Sequence, residues 1–215
     1  MRRLEPGLAG LLLALAVLGI TLRVLTVPGF TAYLVSYVDA PTRSELSREL
    51  ALETAEHVRS YVAAGETEPL PAEVGGRSGF GPQAVSHLDD VAAVIAAAGW
   101  LTLGCVLVFV LWIVRQIRKG EWRVIAAGTR AAGWLLAGGA LGAVAASVVV
   151  FDVFFAWFHS LFFEAGTWQF SSADLLIQLF PEPFWILAGL AWGVLVLVSA
   201  ACLLLVSRAV KQRAA

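Results

Sequence analysis

The chain has 215 residues, 59% of them hydrophobic and only 14% charged. That balance excludes an ordinary soluble globular domain and fits a membrane protein with several spans. A formal net charge of -1 gives no global case for nucleic acid as a partner, so the information lies in how the charge is distributed.

The first apolar run, about residues 7–27, is long enough to cross a hydrocarbon core of about 30 Å. Arg2 and Arg3 precede it, as in a signal peptide. The run is long for that role, and no persuasive small-x-small cleavage site stands before Pro28, so it reads as an uncleaved first span. Arg23 lies one turn from the outer end of the run. Snorkelling to the interface accounts for it, although an ionisable residue in a span is also a functional candidate.

An outer loop, residues 28–89, is the sizeable water-facing piece. Thr42-Arg43-Ser44-Glu45 has the form of a capping box and predicts a helix opening there. Leu46, Leu50, Val58, Tyr61 and Val62 recur on one face of that helix, and Gly65 ends the pattern. Its charged residues (Glu45, Arg48, Glu49, Glu53, Glu56, Arg59) read as a solvated face, with His57 a surface residue among them. Glu66 to Gly81, rich in Pro and Gly, reads as loop.

A second span covers about 90–114. Ser86-His87-Leu88-Asp89 repeats the capping-box pattern, which predicts Ser86 as N-cap and His87 in the first helical turn. The positive end of a helix dipole would then help to keep His87 neutral. A basic loop over 115–130 follows, with Arg115, Arg118, Lys119, Arg123 and Arg130 against the single acid Glu121. The third span, about 131–154, is rich in small residues suited to close helix contact.

The third span runs into an aromatic segment, 155–184, whose rings suit a membrane–water boundary. It holds one histidine, His159, which is either a residue of the aromatic belt facing headgroups or a functional group at that depth. Asp152 shares its helical face seven residues earlier, too far for a direct hydrogen bond. A fourth span, about 185–206, leads to Arg208, Lys211 and Arg213. Cys105 and Cys202 sit inside apolar runs without metal-type spacing and read as packing residues.

Charge asymmetry sets the expected orientation. Ten of the fifteen Lys and Arg residues fall at the two ends and in the 115–130 loop, whereas residues 28–89 carry four against nine acids. The positive-inside rule therefore makes both termini and the 115–130 loop cytoplasmic. The expected fold is an all-α, polytopic membrane protein: one membrane domain over 1–215, with four transmembrane helices, a helical outer loop and N-in/C-in topology. His87 and His159 then share the outer face.

No G-x-S-x-G, H-E-x-x-H or P-loop motif is present, which removes the usual serine hydrolase, zincin and NTPase readings. Ser160, Ser171 and Ser172 lack triad spacing. A metal held by both histidines with Asp90 or Glu164 stays open on residue types alone, with weak support. A transporter is disfavoured, because the spans show no mid-membrane charge pair and no matched broken helices.

Two stretches resemble a known family. His87-Leu88-Asp89-Asp90-Val91 before the second span is one. The other is Phe151-Asp152, Phe158-His159, Phe162-Phe163, Trp168, Asp174-Leu175-Leu176-Ile177 and Phe180-Pro181-Glu182. Together they look like the bacterial lipoprotein intramolecular transacylase family, called Lit. The resemblance implies acyl transfer in the bacterial cytoplasmic membrane with an outward-facing site, no cofactor and no metal. The partners implied are membrane lipids and diacylglyceryl-modified lipoproteins, whose sn-2 acyl chain moves to the N-terminal cysteine amine. It places catalysis on His87 and His159. Asp90, Asp152, Trp168, Asp174, Glu182 and Arg23 are candidate orienting or substrate contacts. The competing reading is a non-catalytic membrane protein that binds lipid or a partner through its outer loop.

The orientation is testable by labelling. A cysteine introduced at 120–122 should be shielded from an impermeant thiol reagent on intact cells, while one at 66–78 should react. Reversed labelling would invert the topology.

Overall fold

The computed structural model describes residues 4–213, with the side chains of 147 and 148 excepted. In chain order the elements are α1 (Glu5–Leu25), α2 (Phe30–Tyr37), α3 (Ala40–Ser44), α4 (Arg48–Ala63), β1 (Glu73–Val74) and β2 (Arg77–Ser78). Then come α5 (Pro82–Arg118), α6 (Trp122–Val149), α7 (Phe151–Ser160), α8 (Leu175–Leu179) and α9 (Glu182–Gln212). Among the described residues, α1, α5, α6 and α9 are long and apolar enough to cross a membrane. The protein is an all-α, four-span membrane protein. Large apolar side chains such as Trp100, Leu111, Trp134 and Leu205 are exposed on these helices, as a lipid-facing surface requires.

The chain forms two compact units. One comprises the chain up to Arg23, Ala98–Ala145 and the chain from Ala191. Lipid offers helices little hydrophobic reason to associate, so close contact through small residues matters here. A Cβ on Gly10 of α1 would come within 2.8 Å of the Ala131 Cβ and 2.9 Å of the Gly128 carbonyl oxygen of α6. Ala14, Ala132, Leu136, Ala140, Val196 and Ala200 form the buried core of this unit. Two polar ties add to it. The Trp192 indole donates to Thr21 Oγ1 at 2.9 Å, and Glu5 accepts from Trp112, Arg115 and Gln116.

The other unit, Val24–Ala97 with Ala146–Leu190, carries the non-spanning elements. Its core draws Val35, Ala40, Ala51, Ala55, Val58, Val74 and Phe80 from the first segment together with Leu175, Leu179 and Phe180 from the second. Helix α4 begins later than the Thr42 capping box predicts. Thr42 donates instead to Asp39, α3 ends at Ser44, and Ser47 caps α4 by accepting from the Leu50 amide at 3.2 Å. Thr42 and Ser47 are both N-cap residue types, and the one whose following turns can bury Ala51, Thr54 and Ala55 prevails. Gly65 does end α4, at φ +73°, with the Glu66 amide returning to the Ser60 carbonyl.

The stretch read as loop over 66–81 contains a small antiparallel ladder, Glu73 opposite Ser78 and Val74 opposite Arg77. Gly75 and Gly76, at φ +60° and +78°, supply the two left-handed residues that such a turn demands. Arg77 locks the hairpin in place. Its guanidinium donates to the Ser44 carbonyl at the end of α3 and to Gln178 Oε1 of α8 at 3.2 Å, and it pairs with Glu45 at 3.7 Å.

The helix predicted from Ser86 starts at Pro82, where a proline fits the first turn because its missing N–H has no helical partner. Ser86 is therefore not a cap, and His87 stands in the second turn. The long helix α6 ends at Val149, and Val150 leaves helical geometry at φ -139° and ψ 53° before α7 begins. Val149 and Val150, where the break falls, are β-branched, which lowers their helix preference slightly.

Because backbone lies against the Cβ position of Gly10, Gly10→Val should cost about 1–3 kcal/mol by overpacking. Thermal unfolding in detergent should show the lowered Tm, and an unchanged Tm would contradict the close α1–α6 contact.

Candidate functional site

Helices α5 and α7 bring the two histidines of the sequence motifs together. The imidazole centroids of His87 and His159 are 6.2 Å apart with an interplanar angle of 26°. Aromatic rings surround both. His87 meets Phe163 edge-on at 4.9 Å and Phe170 at 5.5 Å. His159 meets Phe155 at 3.9 Å, Trp168 at 4.8 Å and Phe163 at 5.5 Å. Phe163 thus touches both imidazoles.

Local structure accounts for the aim of each ring. On α5, Ala84 and Leu88 enter the core of this unit, which turns His87 toward the aromatic segment; its residue is only 8% exposed. On α7, Phe155 precedes His159 by one turn, and the His159 Nδ1–H donates to the Phe155 carbonyl at 2.8 Å. A carbonyl can only accept, so the neutral ring carries its lone pair on Nε2. His87 Nδ1 is buried without a hydrogen-bond partner among the described residues.

One polar clamp organises the loop between α7 and α8. Gln83 lies one turn before His87 on α5, and its side-chain amide donates to the carbonyls of Gly166 (3.3 Å) and Gln169 (3.1 Å). These two contacts bracket Trp168 and hold the strand of loop that sets Trp168 beside His159 and Phe170 beside His87. On the far side of the site's helix, Tyr61 of α4 hydrogen-bonds to Asp89 at 2.5 Å.

Both imidazoles lie outside the apolar spanning stretches, His87 before Asp89 and Asp90 at the polar start of α5 and His159 in α7. Burial pushes the His87 pKa below 6.5. A charge on His159 would lower it further, and the Asp90 carboxylate opposes both. Burial also lowers the His159 pKa, against the raising effect of the Phe155 carbonyl. Each ring is therefore neutral at pH 7. The helix dipole invoked from the predicted cap contributes less than the sequence implies, because His87 stands a turn deeper than a cap at Ser86 would put it; desolvation by the aromatic rings does the larger part.

The other candidates fall elsewhere. Trp168 belongs to the site. Asp90 is exposed and acts on His87 through its charge. Asp152 is exposed in the first turn of α7, and Glu182 is exposed in the first turn of α9, where a carboxylate suits the helix dipole. Asp174 precedes α8 and accepts from the Ser171 amide at 2.6 Å, a turn-stabilising role. Arg23 stands in the other unit, with its guanidinium against Gly99 of α5. Among the described residues no three His, Cys, Asp or Glu side chains gather as metal ligands would. Sequence reasoning does not single out Gln83, Phe155 or Phe170. Phe155 carries a legible signal, its i−4 relation to His159. Gln83 is hidden by the misplaced start of α5.

Fold and site together define a multi-pass helical membrane protein with a paired-imidazole centre in an aromatic cage. Residues 8–185 match the family described as lipoprotein intramolecular transacylase Lit, so the chain belongs to that family and is an acyltransferase of lipoproteins. The fold is also that of the membrane-integral lipoprotein intramolecular transacylase Lit from Bacillus cereus. The TM-score is 0.83 at 16% identity, covering 99% of this chain and 98% of that one. Two variants of the Bacillus cereus protein, with one histidine replaced by arginine or by alanine, each give a TM-score of 0.78. Their identities are 14% and 15%, over 98% and 99% of this chain and 92% and 96% of theirs. No curated protein matches the chain in sequence.

The depressed pKa values have a defined consequence. Unfolding restores each imidazole to about 6.5, so below that pH the unfolded state binds more protons. Stability should therefore fall as pH drops from 6.5 through the lowered native values and be insensitive to these two groups above it. Imidazole NMR titration of the His57→Ala protein in detergent should show both remaining rings titrating below 6.5. A midpoint above 6.5 for either would contradict the desolvated site.

Proposed function

We propose that the chain moves the sn-2 acyl chain of a diacylglyceryl-cysteine lipoprotein to the α-amine of that same N-terminal cysteine. The product is the lyso form, and the reaction takes place at the outer membrane–water interface of the bacterial cytoplasmic membrane. The observation that carries this reading is the pair of neutral imidazoles enclosed in one aromatic cage. A C–N bond forms, the sn-2 C–O bond breaks, the amine loses a proton and the glycerol oxygen gains one. Amine and ester belong to one molecule, so the protein mainly has to hold them in an attacking geometry.

The hydrogen bonds support a division of roles. His159 is the base: its Nδ1–H is anchored to the Phe155 carbonyl, which presents Nε2 as acceptor and steadies the imidazolium that forms. An α-amine with an ordinary pKa of about 7.7–8.0 is close enough to imidazole for this transfer. His87, whose ring is committed to no carbonyl through Nδ1, donates to the departing glycerol oxygen. The His159 imidazolium then hands that same proton to the glycerol oxygen, which the His87 N–H steadies by its hydrogen bond, so one proton passes from nitrogen to oxygen and both rings end neutral. Charge asymmetry supports the outward orientation: the 115–130 loop carries five basic residues and one acid.

Mass spectrometry of lipoprotein N-termini, in a host without its own N-acylation, tests the reading. The wild-type chain should convert diacyl lipoprotein to the N-acyl lyso form. His87→Ala and His159→Ala should each lose about 10²–10⁴-fold while still accumulating in the membrane. The double variant should be little worse than the worse single one, since groups acting as a unit are non-additive. His57→Ala, which gives up only a 3.3 Å bond to the Glu68 carbonyl, should match wild type. Full activity in either single variant at the paired positions would overturn the mechanism.

A further inference from the structure

Addition of an amine to an ester builds negative charge on the carbonyl oxygen, and that oxygen needs a hydrogen-bond donor. Two neutral imidazoles hold two N–H groups between them. The one on His159 is committed to the Phe155 carbonyl, and the proposed relay uses the one on His87 at the departing oxygen. Three neighbouring side-chain donors are committed as well. Ser160 donates to the Trp157 carbonyl at 2.7 Å, Thr167 to the Glu164 carbonyl at 2.9 Å, and Gln83 to the carbonyls of Gly166 and Gln169.

Trp168 is different. Among the described residues only three buried side-chain nitrogen or oxygen atoms lack a hydrogen-bond partner: Glu56 Oε2, His87 Nδ1 and Trp168 Nε1. Two of the three belong to this site. Glu56 Oε2 is on a carboxylate that already pairs with Arg59 at 2.7 Å through its other oxygen. An indole N–H can only donate, and a buried tryptophan usually finds an acceptor for it. Here the ring is held against His159 at 4.8 Å, on a loop clamped at both sides by Gln83, with that donor uncommitted.

Resting on the acyl-transfer reading, we propose that Trp168 is a catalytic residue whose indole N–H donates to the ester carbonyl oxygen of the migrating acyl group. As the amine nitrogen bonds to the carbonyl carbon, the C=O π pair moves onto this oxygen, and Trp168 holds the resulting oxyanion. Collapse restores C=O, expels the glycerol oxygen and leaves the amide. The other acceptors within the reacting groups are the departing glycerol oxygen, which His87 serves, and the amine's lone pair. A donor bound there would silence the nucleophile, so the carbonyl oxygen is the productive partner.

The test is Trp168→Phe, which keeps an aromatic face beside His159 and removes the N–H. In the purified, detergent-solubilised protein, kcat for a synthetic diacyl lipopeptide should fall about 10²–10³-fold, with KM within about twofold and the pH profile in place. Benzothienylalanine at 168, with sulfur in place of the N–H in an indole-sized ring, should show the same loss and serves if the Phe variant does not fold. His159→Ala is assayed alongside. If His159→Ala is inactive while either Trp168 replacement keeps wild-type kcat, the donor role is overturned and the imidazole reading stands. A rise in KM alone, or a displaced pH profile, would make Trp168 a binding or positioning residue and would equally overturn it. Activity in His159→Ala would sink the reading on which the proposal rests.

Discussion

A peptide group in hydrocarbon has no water to bond with, so backbone that crosses a bilayer must satisfy itself within a helix. This constraint divides the chain into long apolar helices and the segments that connect them. Irregular backbone gathers in one of the two compact units, where a small core of its own can support it. The hairpin, the αL residues Asp39 and Glu45, and the loop around Gly166 all belong to that unit. So do both histidines of the site.

The proposed chemistry depends on desolvation without loss of reactivity. An imidazole buried among rings stays neutral because the charged form loses hydration that aromatic faces replace only in part. The two histidines meet this condition differently. His159 keeps a carbonyl on Nδ1, which fixes its tautomer and favours the charged form; His87 has no such support at Nδ1. Two chemically identical side chains are thereby made unequal, as the proposed division of roles requires.

Family membership and fold reach this chain by separate routes. The family match covers most of the sequence, while the structures that share its fold are only 14–16% identical to it. At that distance packing residues have largely been exchanged. In this chain the loop that sets Trp168 and Phe170 beside the imidazoles is held in place by a single side chain. The Gln83 clamp does this through two main-chain carbonyls, and the identity of the loop side chains between them does not enter the contact.

Much of this protein was decided by the sequence itself. Four runs of about twenty apolar residues can only be spanning helices, because transfer free energy is a sum over composition and needs no partner. Gly65 as a helix stop and the small residues facing between spans are local facts of the same kind. The two histidine-bearing stretches were also visible as stretches. What the sequence misjudged were choices between local alternatives of similar energy: Ser47 over Thr42 as the cap of α4, and Pro82 over Ser86 at the start of α5. Burial of the following turn resolved each. Only tertiary structure could bring His87 within 6.2 Å of His159, seventy-two positions along the chain, or turn Trp168 and Phe170 inward. Those contacts depend on the packing of α4, the hairpin and α8 beneath α5, and on one glutamine amide. No periodicity encodes them, because an interaction between distant segments leaves no spacing in either one.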